Sequence, residues 1–528
     1  MKNPALVRLL LAALAACLAA LTLPATPSQA AGGYVPISGA GSTWSQVAID
    51  AWRADVRASG IVVNYAGTGS TDGRSQYIQG TTDFADSEIP FQNPPEPGQQ
   101  AEVPSRPYAY LPIVAGGTSF MYHLTVGGKP VTDLRLSGTT LAKIFTGQIT
   151  HWNDPAITHD YGKTLPATPI IPVVRSDGAG ASAQFTKYMV SQASPIYCPF
   201  IRSKLHVSGS SCPSVSFYPA FGNSKAQSGS NGVANYIHAS YGEGSIGYVE
   251  YAYAKQLGSP VVSLLNKAGY FSQPNQYNVA VALTRARINS DLTQNLESVY
   301  TNPDPRAYPM SSYSYMIVPT STAAPFNADK GRTLSTFVNY FLCTGQQKAG
   351  ILGYSPLPKN LVLAGFQQVK RIPGHVASPA IAQCHNPALD ILHSAPMPDK
   401  CMKLGSSCTV STVGPTAGQT SGPGGTTPGS TTSGGPGGTT SGGNGQVGTS
   451  GSGSPGSGGA VDPLTGAAPG QGTAAGTGVA TTAGATPVSL AASRDGQQRT
   501  LGWLVALILA LAVLAPPFLV ARQSRRER

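Results

Sequence analysis

Charge is scarce in this sequence: Asp, Glu, Lys and Arg make up 11% of the 528 residues, and no basic run interrupts the interior. Of the formal +11, the first thirty residues carry +2 (Lys2 and Arg8), and the terminal arginines with Glu527 carry +3. The remaining +6 is spread over several hundred residues, which excludes the electrostatic footprint of a nucleic-acid binder. There is no C-x-x-C pair and no clustering among the eight histidines, so metal binding, the alternative to disulfides for the cysteines, finds no support. No G-x-S-x-G stretch is present, so the elbow of a serine hydrolase is missing. No internal repeat is evident, which argues against a solenoid.

The two ends are apolar. Residues 1–30 have the form of a secretory signal: Lys2 and Arg8, an apolar run from Leu9 to Leu23, and a small-residue cleavage site at Ser28-Gln29-Ala30. The mature chain is expected to start near Ala31. Leu14-Ala15-Ala16-Cys17 also has the form of a lipoprotein processing box, which would put a lipid on Cys17; the apolar run continues past it, so this reading ranks second. Residues 501–521 carry no charge and are long enough to cross a hydrocarbon core of roughly 30 Å. Arg522, Arg525, Arg526 and Arg528 follow, so residues 522–528 are expected to form a cytoplasmic basic tail. The predicted product is a single-pass cell-membrane protein with an extracellular head. Residues 405–498 are dominated by Gly, Ser, Thr, Pro and Ala, which bury too little apolar surface to offset chain entropy. They are predicted to be a disordered tether, spanning roughly 50 Å as a flexible coil.

Without the leader, six of the seven cysteines remain, an even count that points to disulfides in an exported chain. Nearest-neighbour pairing gives Cys198–Cys212, Cys343–Cys384 and Cys401–Cys408, one connectivity among the 15 that six cysteines allow.

The head, residues 31–404, alternates strand and helix signals. Residues 61–65 and 170–175 are predicted strands; residues 45–58, 139–146 and 232–240 are predicted helices, the first stopped by Gly60. This alternation predicts an α/β fold with largely parallel strands, and about 370 residues are too many for one core, so two lobes are expected. Three places share one grammar of strand, small or hydroxyl residues, then helix: "GAGSTW" (39–44), "GTGSTDG" (67–73) and "RSDGAGAS" (175–182). Each offers unpaired N–H groups at a helix start. Any one of them is ordinary capping. Arg175 adds a fork able to grip two oxygens of an oxyanion, with Asp177 to hold it; a surface ion pair is the alternative for those two.

The stretches "GAGSTW", "VNYAGTGSTDG", "TTDFADSEIPF", "LSGTTLAKIFTGQITHWNDPAI", "VVRSDGAGAS" and "GSIGYVEYAYAKQ" occur in the order in which the periplasmic phosphate-binding protein of the Pst-type ABC importer carries them. From residue 39 to about 361 the head resembles that family. The resemblance implies a two-lobed type II periplasmic-binding-protein clamshell with two hinge strands, near 116–122 and 244–251. Lobe one would be 33–118 and 250–395, and lobe two 119–249. It implies phosphate held without metal or other cofactor by hydrogen bonds from both lobes. The implied ligands are the Thr43 hydroxyl, the Trp44 backbone N–H, the Ser70 hydroxyl, Arg175 steadied by Asp177, and the Gly180 N–H. The family's Ser and Thr beside that glycine are Ala179 and Ala181 here, leaving backbone N–H groups at 179–181, with Ser182 as the hydroxyl that could turn inward. The family's proton-accepting aspartate is Glu88, and Asp72 adds a charge to a loop that is usually uncharged.

The expected protein is therefore a monomeric, extracytoplasmic solute-binding protein. It would capture inorganic phosphate or a similar oxyanion for an ABC permease and would not be an enzyme. Ala179, Ala181 and Glu88 keep a second reading open: a surface module or sensor with altered or lost oxyanion binding. An extracellular phosphatase is a third reading, disfavoured by the absence of a nucleophile elbow and of metal ligands.

Overall fold

The computed structural model describes residues 33–406. The expected leader with Cys17, the tether from residue 407 onward, Cys408, the apolar run 501–521 and the basic tail lie outside the described residues. Among the described residues, no helix is long and apolar enough to cross a membrane.

Eight strands form the main sheet: β1 (Ile37–Gly41), β2 (Val63–Gly67), β3 (Phe84–Ser87), β4 (Tyr108–Tyr122), β5 (Ile171–Arg175), β6 (Lys225–Gln227), β7 (Ser245–Glu250) and β8 (Ser311–Pro319). They lie in the order β2-β1-β3-β8-β4-β7-β5-β6. The outer pairings are parallel: β1 with β2 and β3, and β5 with β6 and β7. The three central pairings, β3–β8, β8–β4 and β4–β7, are antiparallel. The expectation of a largely parallel sheet thus holds at the flanks and fails in the middle, where the chain runs out along β4 and back along β7 and β8.

β4 is fifteen residues long and buried along almost its whole length. From Tyr108 to Gly117 it pairs with β8; from Thr118 to Tyr122 it pairs with β7. One strand thereby joins two half-sheets. Near-continuous burial explains why β4 reads as an unbroken apolar run rather than an alternating one.

The helices that matter to the site follow strands directly. They are α1 (Gln46–Arg57), α2 (Ser70–Gln79), α3 (Gly138–Phe145), α4 (Gly180–Gln192), α5 (Gly229–His238) and α6 (Tyr251–Gln256). In α1, Val47, Ala48, Ile49, Trp52 and Val56 form the buried stripe, and Trp52 stacks on Phe341 with ring centroids 5.2 Å apart. Its three-to-four spacing is the helical period read from the sequence. Gly80 ends α2 in the left-handed conformation, at φ 71°, a position that costs little without a Cβ. Ser137 caps α3 by accepting the Thr140 N–H. α5 starts three residues before its predicted start, at Gly229, whose φ of 69° turns the chain from β6 into the helix.

Cys198–Cys212 and Cys343–Cys384 are bonded as nearest-neighbour pairing expected, and Cys401 is disulfide-bonded as well. By the chain-entropy argument, closing the loop between Cys198 and Cys212 stabilises by about 3 kcal/mol, and the longer loop between Cys343 and Cys384 by about 4 kcal/mol.

β7 ends on Glu250, which is fully buried beside Gly116 of β4. Among the described residues neither of its carboxyl oxygens has a well-formed hydrogen bond, although the Tyr251 and Ala252 amides lie close enough to favour its charged form in part. Burial, and then the charge of Glu88, push its pKa well above the usual carboxylate range. An isolated carboxylate there would be costly, so burial favours the neutral acid.

Two outcomes are expected. Replacing Cys198 and Cys212 together by Ser should lower unfolding stability by about 3 kcal/mol in a denaturant titration; an unchanged midpoint would contradict the loop argument. For Glu250 the folded pKa lies above the unfolded value, so its contribution is full below about pH 4.3 and lost as pH rises through the folded pKa. Glu250→Gln, a neutral isostere, should therefore melt higher than the wild type at pH 8, with the difference narrowing as pH is lowered toward about 4.5. Identical melting profiles across that range would show that the orphaned acid costs nothing.

Candidate functional site

Three of the four loops that gather at the site were flagged in the sequence, and each joins a strand end to a helix start. From the β1–α1 loop come Ser42, Thr43 and Trp44; from the start of α2, Ser70; from the β5–α4 loop, Arg175, Asp177, Ala179 and Gly180; from the start of α5, Ser230. Glu88 follows β3. All of the hydroxyl and charged side chains among these except Asp177 are nearly inaccessible to solvent.

Glu88 is the hub on one side. Its carboxylate accepts from Ser42 Oγ and, at 2.7 Å, from Ser70 Oγ. Ser70 Oγ in turn accepts the Gly180 N–H at 3.1 Å, linking β3 and α2 to the first amide of α4. A β-carbon at Gly180 would collide with the Glu88 carboxylate, so only glycine lets the two approach. The Glu88 carbonyl accepts from Gln184 Nε2 at 2.8 Å.

Arg175 is the hub on the other side. Its Nε donates to Asp177 Oδ1 at 2.8 Å and its Nη2 to Asp177 Oδ2, a bidentate pair that fixes the guanidinium plane. Nη1 reaches Ser230 Oγ at 3.4 Å. Thr43 Oγ1 accepts the Ser230 N–H at 2.9 Å and lies 3.0 Å from Ser230 Oγ. Tyr253 OH, on α6, donates to the Thr43 carbonyl at 2.6 Å. The predicted group of Thr43, Ser70, Glu88, Arg175, Asp177 and Gly180 is thus brought together by two linked networks.

Other predicted residues behave differently. The Trp44 N–H is taken by Ser42 Oγ at 2.9 Å, and the indole N–H by Thr118 Oγ1 at 3.2 Å, so its amide is already engaged. The Ala179 N–H donates to the Ser216 carbonyl at 3.0 Å and is likewise engaged. Ala181 offers the site only a buried methyl and its backbone. Ser182 pairs with Tyr248 OH at 2.8 Å instead of facing Glu88. Asp72 is exposed and accepts from Gln76 Nε2, outside the network. The buried stripe of α2 is Ser70, Gly73, Arg74 and Tyr77, which turns Asp72 to the opposite side.

Ser42, Ser230 and Asp86 belong to the site but were not read from the sequence. Ser42 stands inside the flagged "GAGSTW". Ser230 lies in "SGSNG", the same strand-to-helix grammar after β6. Asp86 accepts from Ser45 Oγ and, at 3.3 Å, from Tyr65 OH.

Electrostatically the site holds more acid than base. Burial raises the pKa of Glu88, against the hydrogen bonds from Ser42 and Ser70 and the charge of Arg175. Burial and then the Glu88 charge push Asp86 well above the usual range. Burial would also raise Asp177, but the Arg175 hydrogen bonds and charge, with the Gly229 N–H, hold it below that range. Asp177 offsets part of the Arg175 charge, and the helix N-termini add further positive potential.

A further contact ties the loop after β3 to the segment ahead of β6. Glu96, on the loop after β3, accepts from the Ser216 N–H at 2.6 Å and from Ser216 Oγ at 2.7 Å. Arg74, buried under that loop, holds it through Glu102, with Nε–Oε2 at 2.7 Å and Nη2–Oε1 at 3.0 Å.

The PBP superfamily domain matches residues 24–344. A phosphate-binding protein PstS of Xylella fastidiosa is 33% identical over 333 residues, which cover 62% of this chain and 83% of that protein. The PstS of Pasteurella multocida is 31% identical over 333 residues, 62% of this chain and 87% of the relative. PstS 2 of Mycobacterium tuberculosis is 31% identical over 342 residues, 62% of this chain and 85% of the relative. The matched region contains both networks, and on this footing the chain belongs to the PBP superfamily and, within it, to the Pst-type phosphate-binding proteins.

Proposed function

We propose that the protein captures inorganic phosphate between two lobes and delivers it to an ABC importer. The observation that carries this reading is the meeting of the Asp177-held guanidinium of Arg175 with hydroxyls and helix starts drawn from both half-sheets. Arg175 and the α4 and α5 starts belong to lobe two, 119–249; Thr43, Ser70 and Glu88 belong to lobe one, 33–118 and 250–395. β4 and β7 serve as the two hinge strands. Donors from either lobe alone satisfy part of an oxyanion, so capture and closure are coupled. The Thr43 and Ser70 hydroxyls, Arg175 and the Gly180 amide supply donors. Glu88 is the acceptor for a protonated oxyanion. The head works outside the membrane as a monomer without cofactor or catalysis, with residues 405–498 as tether, 501–521 as anchor and 522–528 as cytoplasmic tail.

A specific observation keeps the second reading, a surface module or sensor with altered oxyanion binding. Ala179 and Ala181 carry no hydroxyl, and the Trp44 and Ala179 amides are already bonded within the protein. Each missing charge-assisted bond removes about 1.5–3 kcal/mol.

Calorimetric titration separates the two. The full chain should bind phosphate and ignore sulfate, and Arg175→Ala should weaken phosphate by about 100-fold or more, since it deletes the fork and leaves the half-buried Asp177 without its cation. Flat titrations with every oxyanion would favour the second reading. Release of product from a phosphoester by the purified protein would instead restore the enzymatic one.

A further inference from the structure

Glu88 sits where a bound anion would sit. Its carboxylate collects Ser42 Oγ–H and Ser70 Oγ–H, and through Ser70 it collects the first N–H of α4. The carboxylate packs so tightly on Gly180 that no side chain fits between them. Its surroundings thus combine hydroxyls from one half-sheet, a helix N-terminus from the other, and the field of Arg175. A carboxylate and a phosphate oxygen edge ask the same of such donors. Glu88 is 1% exposed, so water does not share these bonds.

We propose that Glu88 is an internal occupant of the oxyanion site: a side-chain anion that holds the Ser42 and Ser70 hydroxyls, and through Ser70 the Gly180 N–H, until phosphate displaces it, and that thereby sets the affinity of the site. The identity of the displacing ligand rests on the phosphate reading above; the internal contact does not. An arriving oxyanion takes over Ser70 Oγ and the Gly180 N–H. The released carboxylate remains buried beside it and accepts the ligand's own O–H. Binding is therefore an exchange of one anion for another at the Ser70 hydroxyl, with the Gly180 N–H passing from Ser70 Oγ to the ligand, and the measured affinity is the difference between the two. The halves keep other ties during the exchange: Thr43 with Ser230, Glu96 with Ser216, and the Thr71 N–H on the Gly178 carbonyl at 3.0 Å. Side-chain reach is the controlling quantity. One methylene less withdraws the carboxylate from Gly180 while keeping an acceptor nearby.

The test uses calorimetry on the full chain at pH 7, with inorganic phosphate and, separately, sodium formate as a small free carboxylate. Thermal melts confirm that each variant is folded. Glu88→Asp should bind phosphate about tenfold or more tighter than the wild type. Glu88→Gln, which keeps the shape and loses the charge, should also gain affinity, and it decides the matter if shorter side chains destabilise the fold. Glu88→Ala should take up formate saturably, in competition with phosphate, whereas the wild type should take up none. Phosphate affinities equal to or below wild type in both folded variants, Glu88→Asp and Glu88→Gln, overturn the proposal, as does a folded Glu88→Ala that ignores formate. Formate uptake by Glu88→Ala, with no phosphate binding by any of the proteins, would uphold the internal anion and sink the phosphate reading instead.

Discussion

A buried carboxylate must be surrounded by donors, and in this protein no single element supplies enough of them. Glu88 draws one hydroxyl from the β1–α1 loop, one from the start of α2, and through it an amide from α4. The demand of one charge for several partners thus specifies how three strand–helix junctions meet. Arg175 repeats the logic with opposite sign: Asp177 satisfies it, and Ser230 ties it to Thr43 on the other half-sheet. The fold can be understood as scaffolding that brings parallel strand ends, each opening into a helix, to the same edge of a shared sheet. Ligand sites of open α/β folds occur at such edges for this reason.

Much of this was legible in the sequence because it was local. Gly, Ser and Thr between a strand signal and a helix signal mark helix starts, and all three flagged junctions lie in the site. The pairing of Arg175 with Asp177 was legible for the same reason, since two residues of separation leave little freedom. Cys198–Cys212 and Cys343–Cys384 also followed from proximity along the chain.

What remained hidden depends on partners distant in sequence. Whether an amide faces the site or is already engaged is decided by neighbours such as Ser216, whose carbonyl takes the Ala179 N–H, and Ser42, whose hydroxyl takes that of Trp44. The direction of Asp72 follows from which side of α2 is buried. Apolar spacing is a weak guide in a helix whose inward face is Ser, Gly, Arg and Tyr. The mixed sheet escaped detection because β8 enters from far beyond β4 in the chain, and strand direction is not written in a strand's own residues. Ser230 was hidden in plain composition: its "SGSNG" is the same signal as the other junctions, overlooked beside a short strand.

β4 changes its strand partner between Gly117 and Thr118, and at the changeover the Thr118 N–H still donates to the Met310 carbonyl, just ahead of β8, at 3.0 Å. In the proposed capture cycle, flexure at that junction would require only small dihedral changes in one strand, at a point where two successive glycines, Gly116 and Gly117, carry no side chains. Such a joint resembles a leaf spring more than a latch. The mechanical resistance to gaping would then be carried by contacts between facing surfaces, and the backbone itself would store little of it.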